Sequence, residues 1–136
     1  MNKKYLYITL YIVLPLIIGC FIYLLFRIQP PFGYIMSWEK PIIDISFLPR
    51  FIYILIVYRL PDMFWTFSFI TALDMYFKTW KTSSIIVITI VILYEYLQYE
   101  KIINGTGDVG DIFYSLCSVI IYIIFLGDKH DESKVI

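Results

Sequence analysis

A chain of 136 residues holds one domain, and 60% of it is apolar, with a mean hydropathy of +0.78, well above the soluble norm. Eleven basic residues balance eleven acidic ones, so there is no net field and no basic block to recruit nucleic acid, which is excluded as a partner. The class that remains is an all-α integral membrane protein whose first partner is the lipid bilayer.

Tyr5 to Phe26 follows a basic start and supplies about 22 residues, enough at 1.5 Å each to cross a hydrocarbon layer of roughly 30 Å. Pro15 is expected to kink this first span. Ile17-Ile-Gly-Cys20 resembles a lipoprotein cleavage site, but the apolar run continues through Phe26, which favours a retained helix. Cys20 and Cys117 both lie in apolar runs and read as small buried hydrophobes.

Residues 27–61 are broken by prolines at 30, 31, 41 and 49 and read as an extracytoplasmic loop. Within it Phe51 to Tyr58 is apolar but too short to span; flanked by Arg50 and Arg59, it is expected to be interfacial or re-entrant. The alternative is one long kinked helix from Phe51 to Phe77, which places Arg59, Pro61 and Asp62 in the bilayer at a cost of a few kcal/mol.

Leu60-Pro61-Asp62 reads as a helix start, with proline in the opening turn and an acid at the positive end of the dipole. The second span is accordingly placed at 62–78, with Ser68 and Ala72 as a close-approach face and Asp74 pairing with Lys78. Ser83 and Ser84 are expected to cap a third span at 83–100. A glycine-rich turn from Asn104 leads to a fourth at 108–126, and residues 127–136 form a charged tail. The result is a four-transmembrane-helix bundle. Lys3, Lys4, Lys78, Lys81, Lys129 and Lys134 fall on one side, which places both termini in the cytoplasm.

With alternating helices, Asp62, Glu95, Asp108 and Asp111 all lie at the outer level. Glu95 and Gln98 share one face of the third helix, and Asp108, Asp111, Ser115 and Ser118 run down one stripe of the fourth. Asp62 and Asp108 have an ordinary role as helix-start acids. Glu95 is not expected to serve an N-terminus, and as an ionisable group in a span it marks a site, as does Asp111. The candidate acidic, ligand-binding cluster is therefore Glu95, Asp111, Asp108, Asp62, Gln98, Trp65 and Ser115. Asn104, Thr106, Asp108 and Asp111 match a calcium loop poorly, because the bidentate glutamate is absent, and neither a metal nor a cofactor is expected. His130, the lone histidine, lies in the tail, and no nucleophile with its base is in view, so no catalytic residue is assigned.

Glu95-x-x-Gln98, a glycine-containing turn and Asp108-x-x-Asp111 at the head of an apolar helix together resemble the VanZ-like family, small polytopic bacterial membrane proteins named after a teicoplanin-resistance protein. The closer resemblance is to a branch that adds a Leu-Pro-Asp-x-x-Trp element, here Leu60 to Trp65, and carries Gly-Thr-x-Asp-x-x-Asp from Gly105 to Asp111. Gly105-Thr-Gly107 stands where the family tends to carry an arginine in the turn before the acids. The resemblance implies a multi-helix fold with an outer acidic cluster that binds a polar lipid or a cell-envelope precursor. The same carboxylates suit a membrane-embedded enzyme or a proton-coupled carrier, and a structural subunit whose acids pair with Arg59 or Lys101 is the third possibility.

Overall fold

The structure is a computed structural model, and it describes residues 3–26, 43–104 and 107–127. Most of the proline-rich loop, Gly105, Thr106 and the charged tail with His130 lie outside the described residues. Four helices are long and apolar enough to cross a membrane: Lys4–Phe26, Arg50–Phe77, Trp80–Tyr99 and Val109–Gly127. Successive helices run in opposite directions, and the second packs against each of the other three.

The second helix differs from the expectation. It does not begin at Asp62 but runs unbroken from Arg50 to Phe77, taking in the segment assigned above to an interfacial loop. Pro61 sits in its interior. A proline there removes a donor and drives its ring toward the carbonyl four residues back. The chain meets this with a π-helical turn at Leu55–Arg59, whose wider loop ends where the Leu60 N–H bonds to Leu55 O, five residues behind. The first helix repeats the device. A π turn at Thr9–Val13 ends with Leu14 N–H on Thr9 O, and Pro15 follows. In both places a Leu-Pro pair follows directly on a π turn.

The third helix starts at Trp80, earlier than its serines suggested. Ser83 and Ser84 do not cap it; both are buried and bond back to the carbonyls of Thr79 and Trp80. A hydroxyl closing on the preceding turn satisfies itself within its own helix, which makes it tolerable inside an apolar bundle.

Among the described residues, the buried side chains include nine polar or charged ones, Thr66, Ser68, Thr71, Asp74, Ser83, Ser84, Glu95, Ser115 and Ser118, against seven large hydrophobic ones. Large apolar side chains such as Phe21, Phe51, Ile85, Phe113 and Ile124 face outward. That inverts the pattern of a water-soluble domain and matches helices that meet through small and polar residues while presenting apolar ones to lipid. The apolar part of the core, Ile70, Val87, Val119, Tyr122 and Leu126, gathers toward the end of the bundle where the chain begins.

Candidate functional site

The opposite end is polar, and its geometry starts from the turn between the third and fourth helices. Gly107 takes φ +59, a conformation that L side chains avoid, and a Cβ there would lie 2.6 Å from the Tyr99 nitrogen. The turn folds tightly against the end of the third helix, and two side chains of that helix receive it. Gln98 Oε1 accepts from Gly107 N–H at 3.1 Å, and Glu95 Oε2 accepts from Asp108 N–H at 2.9 Å. Glu95 therefore does serve an N-terminus, that of the neighbouring helix, contrary to the expectation. The spacing of three explains the pair: it places both acceptors on one face, opposite two successive donors.

Asp108 is the N-cap of the fourth helix, with extended dihedrals and Oδ1 accepting from Gly110 N–H at 2.8 Å. Its other oxygen meets Arg59 Nη2 at 2.5 Å, while Arg59 Nη1 bonds to Asp111. The arginine comes from the π turn of the second helix and lies across the head of the fourth. Glycine at 110 lets the guanidinium lie this close, since a Cβ there would fall 2.6 Å from Nη2 and the arginine tip would have to shift. The arginine side chain is 15% exposed, against 43% for Asp108 and 22% for Asp111, so the bond to Asp111 is the better shielded from water.

The guanidinium also holds the Asp108 carboxyl below the usual aspartate range, with help from the Gly110 N–H. A depressed carboxyl contributes stability above its unfolded-state value and loses it as pH falls through the folded one. Wild-type protein is thus expected to lose thermal stability on acidification below the ordinary carboxylate range, and Asp108→Asn to flatten that part of the profile in melts taken across pH. The effect is modest, because the group is half exposed and screened.

Asp62 is not a helix-start acid. It lies one turn beyond Arg59 inside the continuous helix, and its Oδ1 accepts from Tyr23 Oη of the first helix at 2.5 Å. The charges of Asp111, Asp62 and Asp108 all act on Glu95, so the four carboxylates do converge. Trp65 and Ser115 stand apart from them. Trp65 packs edge-on to Tyr23 and against Gly19, where a Cβ would come within 2.8 Å of its indole nitrogen. Its work is to join the first and second helices. Ser115 is a turn deeper, accepting from Thr66 Oγ1 at 3.1 Å.

Ser118 donates to Met63 O at 2.7 Å, and Tyr122 to Asp74 at 2.6 Å. The polar stripe on the fourth helix therefore extends through positions 108, 111, 115, 118 and 122, and every member meets the second or third helix. The alternation of threes and fours that carries it was legible as far as Ser118; Tyr122 was hidden by its aromatic ring, and with it the true partner of Asp74. No bond joins Asp74 and Lys78 through their side chains. The acid is fully buried, and Lys78 contributes a backbone N–H to the Asp74 carbonyl. Arg59, Tyr23, Gly107 and Gly110 also shape the site without having been singled out as its members.

Deeper than the acids, between the second, third and fourth helices, lies a narrow apolar crevice of about 10 Å³, no larger than a water molecule. Ile112, Val91 and Ile92 line it, within a turn or so of Asp111 and Glu95, and Thr66 and Ser115 are its polar members. Compared with family models, curated proteins and solved structures, the chain matches none.

Proposed function

We propose that the protein is a non-enzymatic, multi-pass protein of the bacterial inner membrane that binds the amine-bearing headgroup of a polar lipid or envelope precursor at its acidic end. The observation that carries this reading is that Asp108 and Asp111 share the Arg59 guanidinium while Glu95, which accepts the Asp108 N–H, feels the charges of Asp62, Asp108 and Asp111, so carboxylates from three helices gather at one end. Among the described residues Arg59 is the one cation within 4 Å of Asp108 and Asp111, and two carboxylates on one guanidinium with Glu95 beside them favour an ammonium group. Lys4, Lys78 and Lys81 belong to the opposite end, which supports a cytoplasmic position for both termini and an outer position for the acids. The resemblance of Glu95-x-x-Gln98 and Asp108-x-x-Asp111 to the VanZ-like pattern supports an envelope ligand. In this reading Arg59 takes the place of the arginine that the turn lacks, from a different helix.

Glu95→Gln tests the proposal, since glutamine keeps an oxygen for the Asp108 N–H and loses only the charge. Phosphatidylethanolamine added to detergent-solubilised wild type is expected to raise Tm, with phosphatidylglycerol much less effective. Glu95→Gln is expected to melt near wild type without lipid and to lose most of the phosphatidylethanolamine shift. Equal shifts in both proteins would sink the idea. A second reading rests on the Arg59 bridge itself: the acids act as a staple between the second and fourth helices of a structural subunit, in which case neither lipid moves Tm.

A further inference from the structure

The far end of the bundle holds a carboxylate that the acidic end does not use. Asp74 is fully buried in the second helix, about 4.5 Å before its end by the rise per residue. Its Oδ2 accepts from Tyr122 Oη at 2.6 Å, and its Oδ1, also buried, has no hydrogen-bond partner among the described residues. The titratable groups facing it are phenols, Tyr122 from the fourth helix and Tyr7 from the first, which lies close to Tyr11 with ring centroids 4.9 Å apart. The third helix brings Ser83, Ser84 and Val87 to this end, none of which titrates. On the second helix itself the nearest charged residue is Lys78, which leaves the helix with φ 58 and is exposed. No cation closes on Asp74 within 4 Å among the described residues.

Its partner Tyr122 belongs to the apolar cluster with Ile70, Val87, Val119 and Leu126. An ionised carboxylate in such surroundings needs a counter-charge and donors for both oxygens. Among the described residues one phenol supplies one donor, to Oδ2, and none reaches Oδ1. A proton needs no cavity and no coordination shell. It removes the charge and leaves the Tyr122 bond to Oδ2 intact.

We propose that Asp74 is a proton-binding site within the bundle, with Oδ1 as the atom that takes the proton and Tyr122 as the residue that holds the carboxyl in place. On binding, an O–H bond forms between Oδ1 and a proton from the aqueous phase on the side where the chain begins. The carboxylate becomes a carboxylic acid, and release reverses the step with no change of oxidation state. The inference is independent of the lipid reading, because the site lies at the other end of the second helix and shares no residue with the acids around Arg59. An ionisable group buried in a span, with its partner in hand, is the usual form of a membrane proton site.

Infrared spectroscopy of the full chain in detergent at neutral pH, in H₂O and D₂O, tests it. Wild type is expected to show a carboxylic-acid carbonyl band that shifts down in D₂O. Asp74→Asn should lose that band, Glu95→Gln should keep it, and Tyr122→Phe should move it to higher frequency by removing the donor to Oδ2. An acid-carbonyl region that is the same in wild type and in folded Asp74→Asn would overturn the proposal. So would loss of the band on adding sodium at constant pH, which would make the ligand a metal cation. If Asp74→Asn does not fold, protein labelled with ¹³C at the aspartate carboxyls decides the matter: a labelled acid band that Tyr122→Phe shifts supports the site, and one that it leaves unmoved, or no labelled band, overturns it.

Discussion

Arg59→Gln is expected to destabilise the folded chain by about 2 kcal/mol, between the ranges for an exposed and a fully buried ion pair, because the bridge is partly buried. The guanidinium is the only cation that reaches Asp108 and Asp111 within 4 Å among the described residues, and it ties the second helix to the head of the fourth. Glutamine is too short and uncharged, so the change takes from Asp108 and Asp111 the cation they share, beside Glu95. Arg59→Lys should fall between the two, because an ammonium supplies the charge but not a planar fork able to bridge two carboxylates. Adding Asp111→Asn to Arg59→Gln should recover part of the loss, since it removes one of the uncompensated charges. Thermal or denaturant unfolding in a single detergent, followed by helicity, reads the series. An Arg59→Gln variant as stable as wild type would mean that the bridge is incidental.

Gly107→Ala is expected to cost rather more, about 3 kcal/mol, by a different route. A left-handed φ penalises any L side chain by roughly 1–2 kcal/mol, and the added carbon meets the backbone of Tyr99 at 2.6 and 2.7 Å. Backbone cannot swing aside as the tip of an arginine can, so overpacking adds about 1–3 kcal/mol. The turn must lift, and the bonds from Gly107 N–H to Gln98 and from Asp108 N–H to Glu95 lengthen together. Hydrogen exchange at those two amides should rise with the loss of stability. Exchange that stays at the wild-type rate would show that the turn does not depend on the glycine.

The second helix shows why part of the site was hard to read. Counting Arg59 as a charge to be inserted into lipid made a loop seem cheaper than a span. That cost assumes a side chain without partners, and the partners stand 49 and 52 residues further along. Length relieves the rest. At 1.5 Å per residue a 28-residue helix is about 42 Å long, longer than the hydrocarbon layer, and Arg59 lies only about 14 Å from its start. Pro61 misled in a related way: it marks helix starts because its ring and missing donor disrupt interiors, but a π turn directly upstream makes room for it.

The acids themselves were legible because charge is rare in apolar helices, and their helical spacing put them on faces that had to meet protein or water. Their duties were not. Glu95 looked unable to serve a helix N-terminus because it lies near the end of its own helix, and its partner is an amide at the head of the next one. Asp74 looked like half of an ion pair because Lys78 is four residues on, yet its side chain turns inward to Tyr122.

By itself the sequence determined that four apolar helices form, near where each begins and ends apart from the start of the second and third, and which end collects the acids, because hydrophobic length and helical period are local properties. Only the tertiary structure decided which carboxylate meets Arg59, which accepts an amide and which is buried against a phenol. Those outcomes depend on how neighbouring helices turn against each other, and a single helix carries no record of what will face it.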